Sequence, residues 1–328
     1  MAHQIFDQRF YAHRKPAWHQ LGYVSEAEHT AVEVGDLIGL PKVYERPIAA
    51  KGDQVYMPIE GYKAIVGVSQ IEGKPKAKTY AVVVDHYEVL THEQFTHLFH
   101  RATGSRVETM GLLGDGETLF LTAPISTIDV RGDEVNNYLM TLNPLNGRAA
   151  IQARTTSVRV VCANTLAVAL KEDTAREFRL RHTQGNAAER VEDWLRMTWH
   201  QTQGMSELLQ GAYEALVRLH VIPDTVAETL ETVYPIPDEL EHPTEAIRAA
   251  WEKEREAQQS HQQTVMELFE GSRTNTAATH GTAWGLWNAV VEYEDFARPR
   301  SNARSRVFGA GAERKTKAFH HLYAMTGQ

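Results

Sequence analysis

The pattern of apolar and polar positions divides the chain into a β-rich first half and a helical second half. Period-two alternation and β-branched runs, separated by glycine and proline, predict strands in the first half. These strands cover residues 42–48, 54–59, 63–69, 79–84, 106–113, 117–123 and 125–130. Helices are predicted between them over residues 31–40, from the cap Thr91 to Gly104, and over residues 133–142. An antiparallel sheet with interleaved helices is the arrangement of an α+β domain.

The second half places apolar residues at helical spacing. Helices are predicted over residues 187–221, with an interruption near Gly204, and over 225–234, 244–270 and 312–325, while residues 282–296 form an aromatic, compact segment. The helix over 244–270 has a polar middle, which is typical of an exposed arm or a contact between copies of the chain. Because the pattern changes after Lys171, we predict an α+β core domain over residues 1–172 and a helical domain over residues 173–328.

Residues 148–170 combine a predicted strand with a predicted helix start. From Ile151 to Val161, apolar residues alternate with polar ones, so Arg154 and Arg159 belong to the polar face of a half-buried strand. Asn164 is placed to cap a helix over residues 164–170. Guanidinium groups beside a helix N-terminus favour anions, phosphate above all. The alternative is a solvated strand face, with Asn164 acting only as a structural cap.

Three motifs occur in order along the chain. They are Pro-Ala-Trp-His-Gln-Leu-Gly at 16–22, Thr-Ser-Val-Arg-Val-Val-Cys-Ala-Asn-Thr-Leu at 156–166, and Gly-Thr-Ala-Trp-Gly-Leu-Trp-Asn-Ala-Val-Val-Glu-Tyr at 281–293. Together they resemble the phage/plasmid-like protein family, a domain of unknown function, over almost the whole chain. The resemblance implies a protein of a mobile element. The core of that family is distantly similar to single-strand annealing proteins of the RecT, Redβ and ERF kind, and this second similarity is a hypothesis.

Composition narrows the class of protein. The chain is 42% hydrophobic and 23% charged, which is typical of a globular protein, and no run approaches the roughly 18 apolar residues of a membrane span. The N-terminal residues lack the apolar core of a secretory signal. The single cysteine, Cys162, excludes an internal disulfide framework and is interpreted as a small buried structural residue. We therefore expect a cytoplasmic protein.

Charge is spread unevenly along the chain. The net charge is −8, but residues 298–328 carry seven basic residues and one acid, a local charge of +6 that leaves −14 elsewhere. A basic stretch of this kind can bind successive phosphates without a sequence code. The residues expected to contact nucleic acid are Arg148, Arg154, Arg159, Arg298, Arg300, Arg304, Arg306, Lys315 and Lys317, with Phe296, Phe308 and Trp18 as base-stacking candidates. The alternative is a solubilising loop or one that docks on the acidic body.

Other candidate chemistry is weaker. His92 and His97 are five residues apart, so on a helix they point about 140° apart and do not form the two-histidine zinc motif. The chain contains no GxxxxGK[ST] phosphate loop, which argues against ATP-driven strand exchange. Two groups of acids could hold Mg²⁺ for a nuclease, although solvated helix ends explain them more simply. These groups are Asp129 with Asp133, and Glu292 with Glu294 and Asp295.

The sequence therefore predicts an ATP-independent protein that binds and anneals single-stranded DNA in recombination or replication of a phage or plasmid. We predict no catalytic residue, metal or cofactor, and no membrane association. The expected partners are single-stranded DNA and further copies of the chain, together with a phage exonuclease or a host single-strand-binding protein. One alternative is a mobile-element interaction protein that does not bind DNA, such as a replication accessory or host-takeover factor. The other is a metal-dependent nuclease.

Overall fold

The computed structural model describes residues 5–14, 21–52, 55–159, 165–166, 178–183, 185–238, 244–271, 276–299 and 309–327. In these ranges the chain has the predicted α+β architecture. A largely antiparallel sheet with helices occupies the first half, and the second half is mainly helical. No helix within the described ranges is long and apolar enough to cross a membrane.

The elements follow the order expected from the sequence in most places. The strands are β1 (Ile5–His13), β2 (Tyr23–Ser25), β3 (Lys42–Lys51), β4 (Tyr56–Ile71), β5 (Lys74–Val84), β6 (Thr109–Leu113), β7 (Thr118–Val130), β8 (Asp133–Pro144), β9 (Ile151–Arg159), β10 (Thr165–Leu166) and β11 (Phe178–Leu180). The helices are α1 (Ala31–Ile38), α2 (His92–Thr103), α3 (Ala187–Gln203), α4 (Met205–Arg218), α5 (Pro223–Val233), α6 (Glu245–Gly271), α7 (Ala283–Glu292) and α8 (Ala310–Ala324). A π-helical turn, Tyr293–Ala297, continues α7.

The larger sheet has the strand order β10-β9-β8-β7-β6-β1-β2, and β11 pairs with β9. Helices α1 and α2 cover it with a core that includes Tyr11, Phe95, Phe99 and Met110. Helix α2 confirms its predicted limits, because Thr91 forms a capping box with Gln94 and the left-handed Gly104 ends the helix.

The helix predicted over residues 133–142 is wrong, and this segment is strand β8. Val135, Tyr138, Leu139 and Leu142 are spaced as on a helix face, but burial alternates residue by residue from Asp133 to Thr141. A two-residue turn, Arg131-Gly132, with both φ angles positive, joins β7 to β8. The apolar positions of this segment fit both the helical and the strand period, and pairing in the β7-β8 hairpin determines that it is a strand.

Further boundaries differ from the predictions, and the strands predicted over 117–123 and 125–130 are one strand, β7. The helix predicted over residues 164–170 is wrong at its start, because Thr165 and Leu166 pair with Val158 and Ser157 as strand β10. Short apolar runs do not distinguish a helix from a strand, and the edge of β9 offers hydrogen bonds. The predicted strands 54–59 and 63–69 are one strand, β4, in which Gly61, with a φ of +79°, lies where the β3-β4 register is irregular.

Strands β3, β4 and β5 form a separate antiparallel sheet. The turn between β4 and β5 is formed by Glu72 and Gly73, both with positive φ, as the predicted hairpin loop requires. One face of this sheet packs Ile65 and Val83 against Tyr87 and Leu145 in a small core.

The chain divides into two compact units, each with its own core. The first unit contains Met1–Ile125, Tyr138–Thr155 and Arg176–Gly204, and the second contains Ser126–Asn137, Thr156–Ala175 and Met205–Gln328. The core of the second unit centres on α7, where every residue is buried, including Trp284 and Trp287. The predicted domain boundary at residue 172 lies outside the described residues and stays a prediction.

The buried histidine of α2 predicts acid sensitivity. The Nε2 atom of His92 donates to the Gly116 carbonyl oxygen at 3.0 Å, and burial lowers the pKa of the imidazole from its ordinary 6.5 to about 4. Between pH 4 and pH 6.5 the imidazole therefore binds a proton in the unfolded chain but not in the folded chain. The stability contributed by neutral His92 is complete above pH 6.5 and is lost as the pH falls toward 4, by about 3 kcal/mol in total.

Urea unfolding at several pH values measures this loss. The variant His92→Gln should show a shallower decline of unfolding free energy between pH 6.5 and 4. His97, which is exposed on the same helix, provides the control, since His97→Gln should keep the wild-type profile. Identical profiles for the two variants would contradict the assignment to His92.

Candidate nucleic-acid interface

The outer face of the β3-β4-β5 sheet carries exposed aromatic and basic side chains. The register places Tyr44 opposite Val66 and Arg46 opposite Ala64. Because alternate residues of a strand share a face, Tyr62 belongs to the same surface as Ala64 and Val66. On the other side of β4, Ala64 lies opposite Val82, which extends this surface across all three strands. The outer face is defined here as Lys42, Tyr44, Arg46, Tyr62, Val66 and Val82.

The aromatic residues of the outer face are accessible. Tyr44 is 38% exposed and Tyr62 is 49% exposed. Val82, on the edge strand β5, is 57% exposed. The Arg46 guanidinium lies 4.7 Å from the centre of the Tyr44 ring, a cation–π arrangement that leaves the guanidinium at the surface. The outer face therefore presents two exposed aromatic rings and the Arg46 guanidinium to solvent.

The opposite face of the same sheet is used for folding. Ile65 is completely buried, and Lys63 on this face binds Glu45 with a distance of 2.6 Å between Nζ and Oε2. One face of this sheet therefore packs in the small core, while the large side chains of the outer face are exposed to solvent within the described residues. The exposed side chains of the outer face do not contribute to that core.

The charge of this sheet differs from that of the chain. Residues 42–84 contain seven basic and four acidic residues, a net charge of +3 in a protein whose total is −8. Aromatic rings on a positively charged surface are the two features that bind single-stranded nucleic acids without sequence preference. The sequence did contain a signal for this outer face, because Tyr44, Arg46 and Tyr62 occupy the solvent-facing positions of the period-two alternation in β3 and β4.

The far end of the β3-β4 hairpin is apolar and exposed. Val55, Tyr56, Met57 and Ile59 are each more than two-fifths exposed. Exposed apolar groups of this density usually mark a contact surface. This hairpin tip, residues 55–59, is distinct from the outer face of the sheet.

Of the predicted arginines in the middle of the chain, Arg148 and Arg154 belong to the first unit and Arg159 belongs to the second. Arg154 and Arg159 belong to strand β9, which confirms the strand predicted for them. Arg148 is exposed and lines a groove of about 600 Å³ that runs along the β5 edge. Lys78 and Asp115 line the same groove and bind each other, with Nζ 2.7 Å from Oδ2.

The predicted role of Lys315 is wrong. This side chain is completely buried in α8, and its Nζ donates to Asp295 Oδ1 at 2.8 Å, so it cannot reach a nucleic-acid phosphate. Arg298 is only 20% exposed and donates from Nη1 to Glu294 Oε1 at 2.8 Å. The acids that neutralise this segment lie directly before it in sequence, on the π-helical turn. A charge count that begins at Arg298 therefore misses them.

Two other predicted site residues of the second unit, Lys317 and Phe296, are exposed to solvent. Lys317 is exposed on α8, and Phe296 is 51% exposed. Arg298 and Lys317 line one cavity together with Arg314. The other predicted site residues lie outside the described residues: the nucleic-acid contacts Arg300, Arg304 and Arg306, the stacking candidates Phe308 and Trp18, and the structural residues Cys162 and Asn164.

The carboxylates considered for a magnesium site are engaged elsewhere. Glu294 binds Arg298 and Arg314, and Asp295 binds Lys315. Asp129 accepts the Gly132 amide, while Asp133 is buried and accepts a hydrogen bond from Trp284 Nε1 at 3.0 Å. Among the described residues, no group of three or more His, Cys, Asp or Glu side chains could hold a metal ion.

Comparison with known proteins identifies a family and nothing further. A family model described as a domain of unknown function (DUF932) matches residues 79–319. No curated protein sequence and no solved structure matches the chain. The β3 and β4 residues of the outer face precede the matched region.

Proposed function

We propose that this chain, which belongs to the family with a domain of unknown function (DUF932), is an ATP-independent protein that binds and anneals single-stranded DNA. The observation that carries this proposal is the outer face, where Tyr44, Arg46 and Tyr62 share one exposed surface of a basic sheet. The proposal includes a role in the recombination or replication of a phage or plasmid, and the resemblance to mobile-element proteins supports this part of it. The distant similarity to RecT-type annealing proteins belongs to the same proposal.

The chemistry of the outer face suits strand annealing. Tyr44 and Tyr62 offer ring faces on which two bases of one strand stack, since each base has a π-face whatever its identity. Arg46 and Lys42 neutralise the phosphates that accompany these bases. Stacking leaves the hydrogen-bonding edges of the bases free, so a complementary strand can pair with them while the first strand stays bound.

Oligomerisation and location are part of the proposal. Annealing long strands requires several protein copies side by side, and the solvated helix α6, with exposed residues over most of its middle, offers a surface for such contacts. A reducing cytoplasmic setting agrees with the single cysteine. A phage exonuclease or a host single-strand-binding protein would supply or occupy the single strands.

Fluorescence anisotropy with a labelled single-stranded oligonucleotide tests the proposal. Tyr44→Ala and Tyr62→Ala should each weaken binding by about tenfold, because one stacked base contributes about 1–3 kcal/mol. Arg46→Gln should lower the slope of log affinity against log salt by about 0.7, the value for one phosphate contact on a single strand. Annealing of complementary strands without ATP should decline in the same order.

Tyr23 provides a matched control. It lies in β2 of the other sheet and is 49% exposed, the same fraction as Tyr62. Tyr23→Ala should leave the affinity for single-stranded DNA unchanged. The absence of binding by the wild-type protein at low salt, or equal losses for Tyr23→Ala and Tyr62→Ala, would exclude the outer face as the binding surface.

A second candidate function is favoured by the hairpin tip. Its exposed apolar side chains, Val55 to Ile59, are typical of a contact with another protein rather than with nucleic acid. On this alternative the chain is an interaction protein of the mobile element. Tyr56→Ser and Met57→Ser would then disrupt its complexes, while Tyr44→Ala would have no effect on them.

A further inference from the structure

We infer that the second unit contains a binding site for a phosphomonoester, in the cavity between α5, α8 and the π-helical turn. The cavity has a volume of about 260 Å³. Three basic side chains, Arg298, Arg314 and Lys317, line it. Val233, Tyr234 and Pro235 line it as well, and of these three Pro235 is exposed while Val233 and Tyr234 are buried.

A buried carboxylate fixes the two guanidinium groups. Glu294 has no exposed side-chain surface, and its Oε1 and Oε2 accept from Arg314 Nε and Nη2 at 2.7 and 3.0 Å. The same Oε1 accepts from Arg298 Nη1 and from the Tyr234 hydroxyl at 2.8 and 2.9 Å. Burial raises the pKa of this carboxyl, but hydrogen bonding and the charges of Arg314 and Arg298 more than offset that effect, so its pKa lies below the ordinary value.

The arginines keep hydrogen-bond donors for a second anion. Arg314 uses Nε and Nη2 on Glu294, and Arg298 uses Nη1 on Glu294 and Nη2 on His261. A guanidinium has five N–H donors, so each group retains donors that Glu294 does not occupy. Both side chains are about one-fifth exposed, which gives a ligand access to them.

Lys317 completes the positive side of the cavity. It is exposed, and no ion pair of Lys317 with another described residue is present. Against three basic groups stand two carboxylates, the buried Glu294 and the exposed Glu313. The remaining positive charge, together with preoriented guanidinium groups, favours a compact anion with several acceptor oxygens, which is the chemistry of a phosphate.

Pro235 indicates what the phosphate is attached to. The Tyr234 ring, 5.9 Å from the Arg298 guanidinium carbon, is only 1% exposed, so the accessible apolar surface beside the donors is that of Pro235. Inorganic phosphate would leave that surface exposed to water. A nucleoside monophosphate or the phosphorylated end of a DNA strand would cover it with a sugar or base. These two sources share the same phosphomonoester chemistry.

Isothermal titration with small anions tests this site without DNA. At constant ionic strength, the wild-type protein should bind a nucleoside monophosphate more tightly than inorganic phosphate, and both more tightly than chloride. Lys317→Gln should weaken binding of the monophosphate by about tenfold. Lys253, exposed on α6, is the matched control, and Lys253→Gln should leave binding unchanged.

A second titration separates the two sources of phosphate. Preference for a 5′-phosphorylated oligonucleotide over its 5′-hydroxyl form, lost in Lys317→Gln, would identify a strand end as the ligand. Equal binding of the two oligonucleotides, with saturable monophosphate binding, would identify a free nucleotide. No saturable binding of monophosphate or phosphate by the wild type, or an unchanged affinity in Lys317→Gln, would overturn the inference. Because Tyr44→Ala lies in the other unit, it should weaken DNA binding and leave monophosphate binding intact, so this inference and the proposed function can fail separately.

Discussion

Replacing Lys315 by methionine is expected to lower the free energy of unfolding by about 3–5 kcal/mol. The side chain is completely buried, and its Nζ lies 2.8 Å from Asp295 Oδ1, while Asp295 is only 3% exposed. Methionine has a similar volume and a good helix propensity, so packing and helix formation change little. The loss comes from a buried carboxylate that no longer has the ammonium group beside it. Urea denaturation at neutral pH measures the change.

Two further variants identify the source of this loss. Lys317→Met, two residues along the same helix but exposed, should change the free energy of unfolding by less than about 0.5 kcal/mol. The double variant Asp295→Asn with Lys315→Met should be more stable than Lys315→Met alone, because it removes the buried negative charge that has lost its lysine. Equal stabilities of the Lys315→Met and Lys317→Met proteins would show that the buried ion pair is unimportant.

Replacing Trp284 by alanine is expected to destabilise the second unit by about 3–5 kcal/mol. Trp284 is completely buried, and its ring centre is 4.9 Å from that of Tyr213 and 5.3 Å from that of Trp287. Its Nε1 also donates to Asp133 Oδ2. The substitution opens a cavity and removes a donor from a buried carboxylate, so the loss should lie toward the upper end of this range.

Trp284→Phe separates the two contributions, because it retains most of the packing but not the hydrogen bond. We expect it to cost about 1–3 kcal/mol, the range for losing a hydrogen bond to a buried charged group. Phe296→Ala, on an exposed side chain near the end of the same helical segment, should cost little. If thermal unfolding shows the same loss for Trp284→Ala and Phe296→Ala, α7 is not the centre of this core.

Local signals in the sequence were sufficient for the capped helices and for the two-residue turns. Thr91 and Gly104 marked both ends of α2, and Glu72-Gly73 marked the β4-β5 turn. Local signals were insufficient where the same apolar positions fit both the helical and the strand period. Val135, Tyr138, Leu139 and Leu142 match a helix, yet pairing in the β7-β8 hairpin makes this segment a strand.

The candidate site was harder to predict for a different reason. Arg298 and Lys315 contribute to a basic run in the sequence, but Glu294 and Asp295 neutralise them through contacts that no linear count includes. Conversely, Tyr44 and Tyr62 are separated by 18 positions and become one surface only when β3 pairs with β4. Strand register, which depends on the whole sheet, determined which side chains face solvent.

The β7-β8 hairpin limits how this protein can be dissected into fragments. Its distal residues, 126–137, belong to the second unit, and Ile128, Val130 and Val135 are part of that unit's core. A fragment that starts at α4 would lack these three side chains and would expose Trp284 without Asp133. Expression of the helical half alone should therefore yield aggregated material. A synthetic peptide of residues 126–137, added separately, would supply the missing core side chains.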